Sequence, residues 1–172
     1  MEWKKISERK LWSGYRKIEG WTFNLATGVS REYEINIGGA TVCALALTED
    51  GQVILVKEFR PGVGTHLMEM PGGVAENDED RLAAMARELR EETGYAGNLQ
   101  FVASGPIDAY STNIRQYFVA TECRKVTEPE NDPYEPLQTV LMSPGSFRDH
   151  LRGAQLTDVA GGYLCLDFLG LL

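Results

Sequence analysis

The sequence predicts an α/β fold in which helices cover a mixed β-sheet, preceded by an N-terminal antiparallel β ribbon. Three observations lead to this fold class. Residues 40–47 are almost all apolar, as in a strand that is buried on both faces. Residues 83–93 repeat apolar side chains at helical spacing, and residues 1–39 alternate polar with apolar or aromatic side chains. A chain of 172 residues is also long enough to bury a proper core.

The N-terminal segment, residues 1–39, contains three aromatic-rich runs separated by glycine-containing turn signals. This pattern predicts three short antiparallel strands. A flat ribbon of this kind cannot bury both of its faces alone, so it either lies on the main domain or pairs with a second subunit. We expect Gly38 and Gly39 to form the joint to a second domain, residues 40–172.

The second domain is expected to alternate strands with helices. Residues 40–47 and 52–59 are apolar runs separated by Glu-Asp-Gly, which predicts a β-hairpin. Residues 124–136 are polar and rich in proline, so a loop is expected there. Further strands are predicted at 98–104, 114–122 and 137–142, and further helices at 143–151 and 157–172.

The helix predicted over residues 83–93 has clear boundary signals. Asp80 is suited to cap its first turn, and Gly94 is suited to the left-handed residue that follows the last turn. At about 100° per residue, the apolar residues of this segment share one stripe, which we expect to face the core. The stripe consists of Leu82, Met85, Ala86 and Leu89.

Three glutamates, Glu88, Glu91 and Glu92, lie within one turn of that helix. Like charges at this spacing repel each other and destabilise an isolated helix by a few tenths of a kcal/mol per pair. A solvated helix face is the more common explanation of two adjacent glutamates, so the charge cluster alone does not predict a site.

The composition excludes several classes of protein. The chain has 25 acidic and 17 basic residues, a net charge of −8, and no run of Lys or Arg, so we expect no nucleic-acid partner. Its N-terminus is polar and no apolar stretch approaches the roughly 18 residues of a membrane helix, so we expect neither a secretion signal nor a membrane partner. The three cysteines, without metal-ligand spacing, are predicted to be reduced core residues of a cytoplasmic protein.

The sequence lacks the residues that several catalytic mechanisms require. His66 and His150 are the only histidines and neither lies in an HExxH pattern, which disfavours a zinc site or a histidine base. Ser111 and Ser143 do not lie in a G-x-S-x-G setting, and the chain has no G-x4-G-K-[ST] phosphate loop. A catalytic base is therefore expected to be a carboxylate, on the helix or in a loop.

The residues around the helix match the Nudix box, G-x5-E-x7-R-E-U-x-E-E-x-G-U, at every fixed position. Tyr95 is the one soft departure, since an aliphatic residue is usual there. The chain therefore resembles the Nudix hydrolases, which cleave a nucleoside diphosphate linked to another group, and the resemblance implies an α/β/α sandwich. The matching residues are Gly73, Glu79, Arg87, Glu88, Leu89, Glu91, Glu92, Gly94 and Tyr95.

The chemistry of this family requires a hard divalent cation, here Mg²⁺ with Mn²⁺ as a substitute. Such an ion draws charge from the phosphoryl oxygens, and it prefers one or two carboxylates together with waters and phosphates. Glu88 and Glu92, four residues apart, point the same way and are expected to hold the metal. Glu91 is expected to ligate it or to orient a water, and the resemblance implies that the carbonyl of Gly72 is a further ligand. Arg87 is better placed to fix the glutamates than to contact the substrate.

Residues 53–73 look like the ADP-ribose pyrophosphatase branch of the family. The resemblance implies that Arg60 contacts a phosphate or ribose. It also implies that Glu69, the matching acid of the approach to the box, is a substrate-binding residue. In that branch, aromatic residues on the N-terminal strands of two subunits stack on the base, and Tyr15 and Tyr33 fall near those positions. The resemblance therefore implies a homodimer in which the N-terminal ribbon serves both dimerisation and base binding.

The loop before the last strand is expected to supply a second catalytic carboxylate. Glu135 best matches the loop glutamate of the ADP-ribose pyrophosphatase branch. A second glutamate of some members falls on Pro133, so Asp132 or Glu130 is an alternative base.

These features predict Mg²⁺-dependent hydrolysis of a nucleoside diphosphate sugar, with ADP-ribose as first choice, to a nucleoside monophosphate and a sugar phosphate. Ala109 replaces the proline that is usual in the branch, and Tyr110 follows it, as in Nudix enzymes that act on dinucleoside polyphosphates. Two alternatives therefore stay open: hydrolysis of dinucleoside polyphosphates or other nucleotides, and a non-catalytic nucleotide-sugar sensor.

Overall fold

The computed structural model describes residues 3–76, 78–130 and 136–172. The chain divides into two compact units. The first consists of Met1–Ala40 and Gly105–Arg115, and the second consists of Thr41–Ser104 and Gln116–Leu172. The first unit is therefore discontinuous in sequence.

The first unit is a three-stranded antiparallel sheet with one attached loop. Strands β1 (Lys4–Ser13), β2 (Lys17–Asn24) and β3 (Ser30–Ile37) lie in that order, which confirms the predicted ribbon. The segment Gly105–Arg115 joins β3 through backbone hydrogen bonds. Asn36 N donates to Tyr110 O at 2.8 Å, and Thr112 N donates to Asn36 O at 3.0 Å.

The second unit contains a six-stranded sheet and three helices. The strands run in the order β6-β5-β4-β8-β7, and β9 pairs with β5. The strands are β4 (Ala40–Thr48), β5 (Val53–Arg60), β6 (Thr65–Glu69), β7 (Tyr95–Pro106), β8 (Ile114–Lys125) and β9 (Gln138–Met142). The helices are α1 (Arg81–Thr93), α2 (Pro144–Arg152) and α3 (Val159–Phe168), so the last helix is shorter than the predicted 157–172.

The helices cover both faces of this sheet. Ile54 of β5 packs in one core cluster with Met85 and Leu89 of α1. Its neighbour Leu55 packs in a second cluster with α2 and α3, through Phe147, Leu151, Cys165 and Leu166. Successive residues of a strand point to opposite faces, so the two clusters mark the two sides of the sheet. The predicted α/β sandwich with its doubly buried strand is thereby confirmed.

Helix α1 begins and ends as predicted. Asp80 accepts hydrogen bonds from Leu82 N at 3.1 Å and Ala83 N at 3.0 Å, and Gly94 has a φ of 76°. These contacts satisfy the free N–H groups of the first turn and give the helix its left-handed stop.

The predicted apolar stripe of α1 is wrong in its orientation. Leu82 is 45% exposed and Ala86 is also exposed, although Met85 and Leu89 are buried as expected. Ala84 and Thr93 are buried instead, so the helix is rotated about its axis relative to the prediction. The row Ala84, Glu88, Glu92 therefore lies beside the buried face rather than in a separate sector, because residues four apart share one side of a helix.

The cysteines agree with a further expectation from the sequence. Cys43, Cys123 and Cys165 are all buried and free, which confirms their predicted place in the core. Within the described residues, no helix is both long enough and apolar enough to cross a bilayer.

Candidate active site

The rotation of α1 brings two of its glutamates into a partly buried position. The Glu88 side chain is 13% exposed, and burial raises its pKa, as do the charges of Glu91 and Glu79. Burial raises the pKa of Glu92 to about 8, and the negative charges of Glu88 and Glu58 act in the same direction. The predicted pair therefore lies where a negative charge is poorly solvated.

A glycine-containing segment after β6 lies directly against these glutamates. Gly72 N donates to Glu92 Oε2 at 2.9 Å. On the other side, Val42 N donates to Gly73 O at 2.9 Å and Ala44 N donates to Pro71 O at 3.0 Å, so β4 holds the segment in place. A Cβ at position 72 would lie 2.2 Å from Val42 O, which only glycine avoids.

The first glycine of the box also has a steric role. A Cβ at Gly73 would lie 2.6 Å from both carboxylate oxygens of Glu88. Any side chain at this position would therefore displace that carboxylate. The glycine requirement of the motif is explained here by the space that Glu88 occupies.

Arg87 holds three of the glutamates together, as expected. Its Nε lies 3.2 Å from Glu79 Oε1, and its Nη1 lies 2.9 Å from Glu88 Oε1 and 3.0 Å from Glu91 Oε2. Arg87 lowers the pKa of Glu79, whereas the carboxylates raise the pKa of Arg87 above its ordinary range. Its Nη2 donates to Val74 O at 3.4 Å and to Glu79 Oε2 at 3.3 Å, so all three nitrogens of the guanidinium are engaged and it fixes the glutamates in place.

A second charged group lies at the end of β5. Arg60 pairs with Glu58 and, through Nε, with Glu69 Oε1 at 3.3 Å. Glu69 is only 2% exposed and also accepts hydrogen bonds from Thr157 N and Thr157 Oγ1, each at 3.0 Å. Arg60 lowers the pKa of Glu92 while Glu58 raises it, so both lie within electrostatic reach of that glutamate. The fold therefore places Arg60 within electrostatic reach of Glu92, and Glu69 contacts Arg60.

The acidic cluster suits a divalent cation that takes only a few of its ligands from the protein. Among the described residues, no three acidic, histidine or cysteine side chains already converge as a metal cage. Glu88 and Glu92 nevertheless share a buried negative environment that a cation would relieve. An ion that takes two carboxylates and completes its shell with water and phosphate oxygens suits this arrangement.

An aromatic cavity of about 400 Å³ lies within the first unit. Tyr33 stacks with Tyr110, with ring centroids 6.3 Å apart at 26°, and with Trp3, at 5.9 Å and 30°. Tyr15 is fully exposed and does not line this cavity. Sequence reasoning missed Trp3, Trp21 and Phe23 as walls, although the alternation of Trp21 and Phe23 along β2 was a usable signal. The lining consists of Trp3, Trp21, Phe23, Tyr33, Ile35, Ala109, Tyr110, Ser111 and Thr112.

The predicted loop base, Glu135, and its alternative Asp132 lie outside the described residues. The other alternative, Glu130, is described. Its backbone N–H donates to Glu91 O at 2.7 Å, and its carboxylate lies 3.7 Å from Arg90 Nη2. The chain therefore reaches the C-terminal end of α1 immediately before residue 131.

Both a protein-family model and individual known proteins match this chain. The family model of the NUDIX domain matches residues 39–157. The chain is 30% identical over 132 residues to an ADP-ribose pyrophosphatase of Bacillus subtilis, covering 74% of this chain and 71% of that protein. It is 31% identical over 143 residues to an ADP-ribose pyrophosphatase of Saccharomyces cerevisiae, covering 74% of this chain but only 59% of that protein.

A solved structure supports the fold. The crystal structure of an ADP compounds hydrolase superposes with a TM-score of 0.82, covering 100% of this chain and 98% of that chain. Its sequence identity is 20%, so this likeness concerns the architecture alone.

Proposed function

The chain belongs to the Nudix hydrolase family, and on this premise we propose that it is a Mg²⁺-dependent pyrophosphohydrolase of nucleoside diphosphate sugars. ADP-ribose is the first-choice substrate, and the products would be a nucleoside monophosphate and a sugar phosphate. One observation carries this proposal: Glu88 and Glu92 are partly buried together against the glycine segment, where a bound cation would stabilise their charged forms.

Glu88 and Glu92 would hold the metal, together with the carbonyl of Gly72. In an extended backbone, the N–H and C=O of one residue point to the same side. Since Gly72 N donates to Glu92 while the carbonyls of Pro71 and Gly73 accept from β4, we expect Gly72 O to face the glutamates. A bound Mg²⁺ would supply charge neutralisation at the phosphoryl oxygens and a more acidic water.

Glu91 and Glu135 would handle the attacking water. Arg87 donates to Glu91 Oε2, which fixes the direction of that carboxylate. A carboxylate that is fixed in this way can accept a proton from water within hydrogen-bond reach. Glu135 remains a proposal from the family resemblance, with Glu130 and Asp132 as alternatives.

Arg60 would bind the substrate through a phosphate. Its planar guanidinium can bind a phosphate through two parallel hydrogen bonds, and its contacts with Glu58 and Glu69 hold it at the end of β5. Glu69 is buried, so we assign to it the positioning of Arg60.

The base would be recognised by aromatic residues of the first unit. Tyr33 is part of a cavity whose walls are mostly aromatic, and planar bases stack on such walls. Tyr15 is fully exposed and would contribute only within the proposed homodimer. In light scattering, a dimer would show twice the chain mass of 19.1 kDa, and a monomer at micromolar concentration would exclude it.

A substrate panel tests the proposed function. The protein would be incubated with ADP-ribose, GDP-mannose and diadenosine polyphosphates in Mg²⁺, and then with a chelator. We expect ADP-ribose to be hydrolysed fastest and the chelator to abolish turnover. Faster hydrolysis of diadenosine polyphosphates would favour the second candidate function, which the stacking of Tyr110 on Tyr33 supports. Binding of nucleotide sugars without any turnover would indicate a sensor.

A further inference from the structure

A second cavity, of about 580 Å³, lies in the second unit and has no part in the proposed reaction. Its volume falls within the range of about 300–1,000 Å³ that is usual for small-molecule sites. Its polar and apolar walls include Lys57, His66, Met68, Gln138, His150 and Gln155.

The cavity lies on the opposite side of the sheet from the glutamate cluster. Lys57 is two residues from Leu55, which packs against α2 and α3, so both side chains point to that face. Register pairs place Met68 and Gln138 opposite Lys57, and paired residues of antiparallel strands share a face. Glu58, one residue further along, points toward the face of α1.

The charge of this cavity differs from that of the chain. The chain carries a net charge of −8, yet among the residues that the structure describes no Asp or Glu lines the cavity, whereas one lysine and two histidines do. In the part of the chain that the structure describes, Lys57 has no carboxylate partner. The lining is therefore matched to an anion rather than to a cation.

The fold fixes the orientation of one of the two imidazoles. His150 is 7% exposed, and its Nε2 lies 2.9 Å from Met68 O. A carbonyl only accepts, so Nε2 donates and the ring orientation is fixed. His66 makes an edge contact with Phe59, with ring centroids 5.3 Å apart. The ring of His150 therefore loses little conformational freedom when a ligand binds beside it.

From this placement we propose that the cavity binds the phosphate group of a small phosphomonoester. Lys57 would contribute the charge, and the His66 imidazole with the amides of Gln138 and Gln155 would donate hydrogen bonds, while His150 forms a fixed wall of the site. The site is separate from the glutamates, so it requires neither the metal nor the pyrophosphate chemistry.

Histidine NMR tests this site directly, because the only two histidines of the chain both line it. The full-length protein, with ¹⁵N-labelled histidine and a chelator present, would be titrated with inorganic phosphate at constant ionic strength. We expect saturable shifts of both imidazole signals. Lys57→Gln should weaken binding by roughly tenfold, the scale of one charge-assisted hydrogen bond.

A control variant, Lys10→Gln, removes another exposed lysine, from β1, and should leave the binding unchanged. The imidazole signals of each phosphate-free variant would show that the cavity is intact. Shifts that never saturate, or equal dissociation constants for Lys57→Gln and the unaltered protein, would overturn the proposal. Neither result would bear on the hydrolysis of nucleotides.

Discussion

Gly72 donates its backbone N–H to the carboxylate of Glu92 across a sequence separation of 20 residues, at 2.9 Å. This hydrogen bond joins the glycine segment to α1 and directs the carboxylate of a partly buried glutamate. It also lowers the pKa of Glu92 and thereby opposes part of the effect of burial, which nevertheless dominates. A charge that is both directed and poorly solvated is suited to a cation.

The variant Glu92→Gln should keep the fold and lose most turnover. The amide keeps the size of the side chain and its acceptor for Gly72, but it lacks the charge that would hold Mg²⁺. We expect kcat/KM for ADP-ribose to fall by at least about a hundredfold, the scale on which one strongly electrostatic group acts. Glu128→Gln, at a side chain that is 82% exposed, is the control. Full activity of Glu92→Gln would remove Glu92 from the mechanism.

The variant Gly73→Ala should displace Glu88 without unfolding the protein. Its Cβ would lie 2.6 Å from the Glu88 carboxylate, so that side chain must move. A misplaced catalytic group can cost about a hundredfold in rate, and we expect kcat to fall on that scale. Gly39→Ala is the matched control, because a Cβ there meets nothing within 4 Å. Equal steady-state kinetics of the two variants would contradict this role of Gly73.

The metal-free protein should lose stability as the pH rises from about 4.5 to about 8. The pKa of Glu92 is about 8 in the folded chain and 4.5 as its ordinary value. Between these values the folded state binds more protons than the unfolded state, so the free energy of unfolding decreases with pH. Denaturant titrations in a chelator would measure this slope, and Glu92→Gln should flatten it.

Added Mg²⁺ should stabilise the protein more at pH 8 than at pH 5, because the ion competes with the proton for the carboxylates. A free energy of unfolding that is independent of pH over this window in the metal-free protein would show that Glu92 is well solvated.

The variant Tyr33→Ala should weaken substrate binding while leaving the chemistry intact. Loss of one stacking platform costs about 1–3 kcal/mol per base, so we expect KM to rise roughly tenfold or more with little change in kcat. Comparison with Tyr15→Ala would show whether the exposed tyrosine contributes as well. An unchanged KM in Tyr33→Ala would move base binding away from the aromatic cavity.

The features that the sequence predicted correctly are local ones. Asp80 and Gly94 act within one turn of α1, and the spacing of Glu88 and Glu92 fixes their common side on any helix. Alternation and turn signals were likewise sufficient for the three strands of the N-terminal ribbon. In each case, the local structure is decided by residues that lie close together in the sequence.

The features that it missed depend on distant partners. The rotation of α1, which exposes Leu82, is set by the sheet against which the helix packs. Trp21 lies opposite Tyr33 only through the register of β2 and β3, and Tyr110 arrives from a segment far along the chain. The contact of Glu69 with Thr157 spans 88 residues. No local pattern carries such information.

The central claim is that Glu88 and Glu92 hold a divalent ion against a pyrophosphate. The most direct measurement is a crystal structure with Mg²⁺ and a non-hydrolysable ADP-ribose analogue. We predict an ion between the two carboxylates at about 2.1 Å from their oxygens, with phosphate oxygens completing its shell. A bound analogue with both side chains turned into solvent and no ion beside them would contradict the claim.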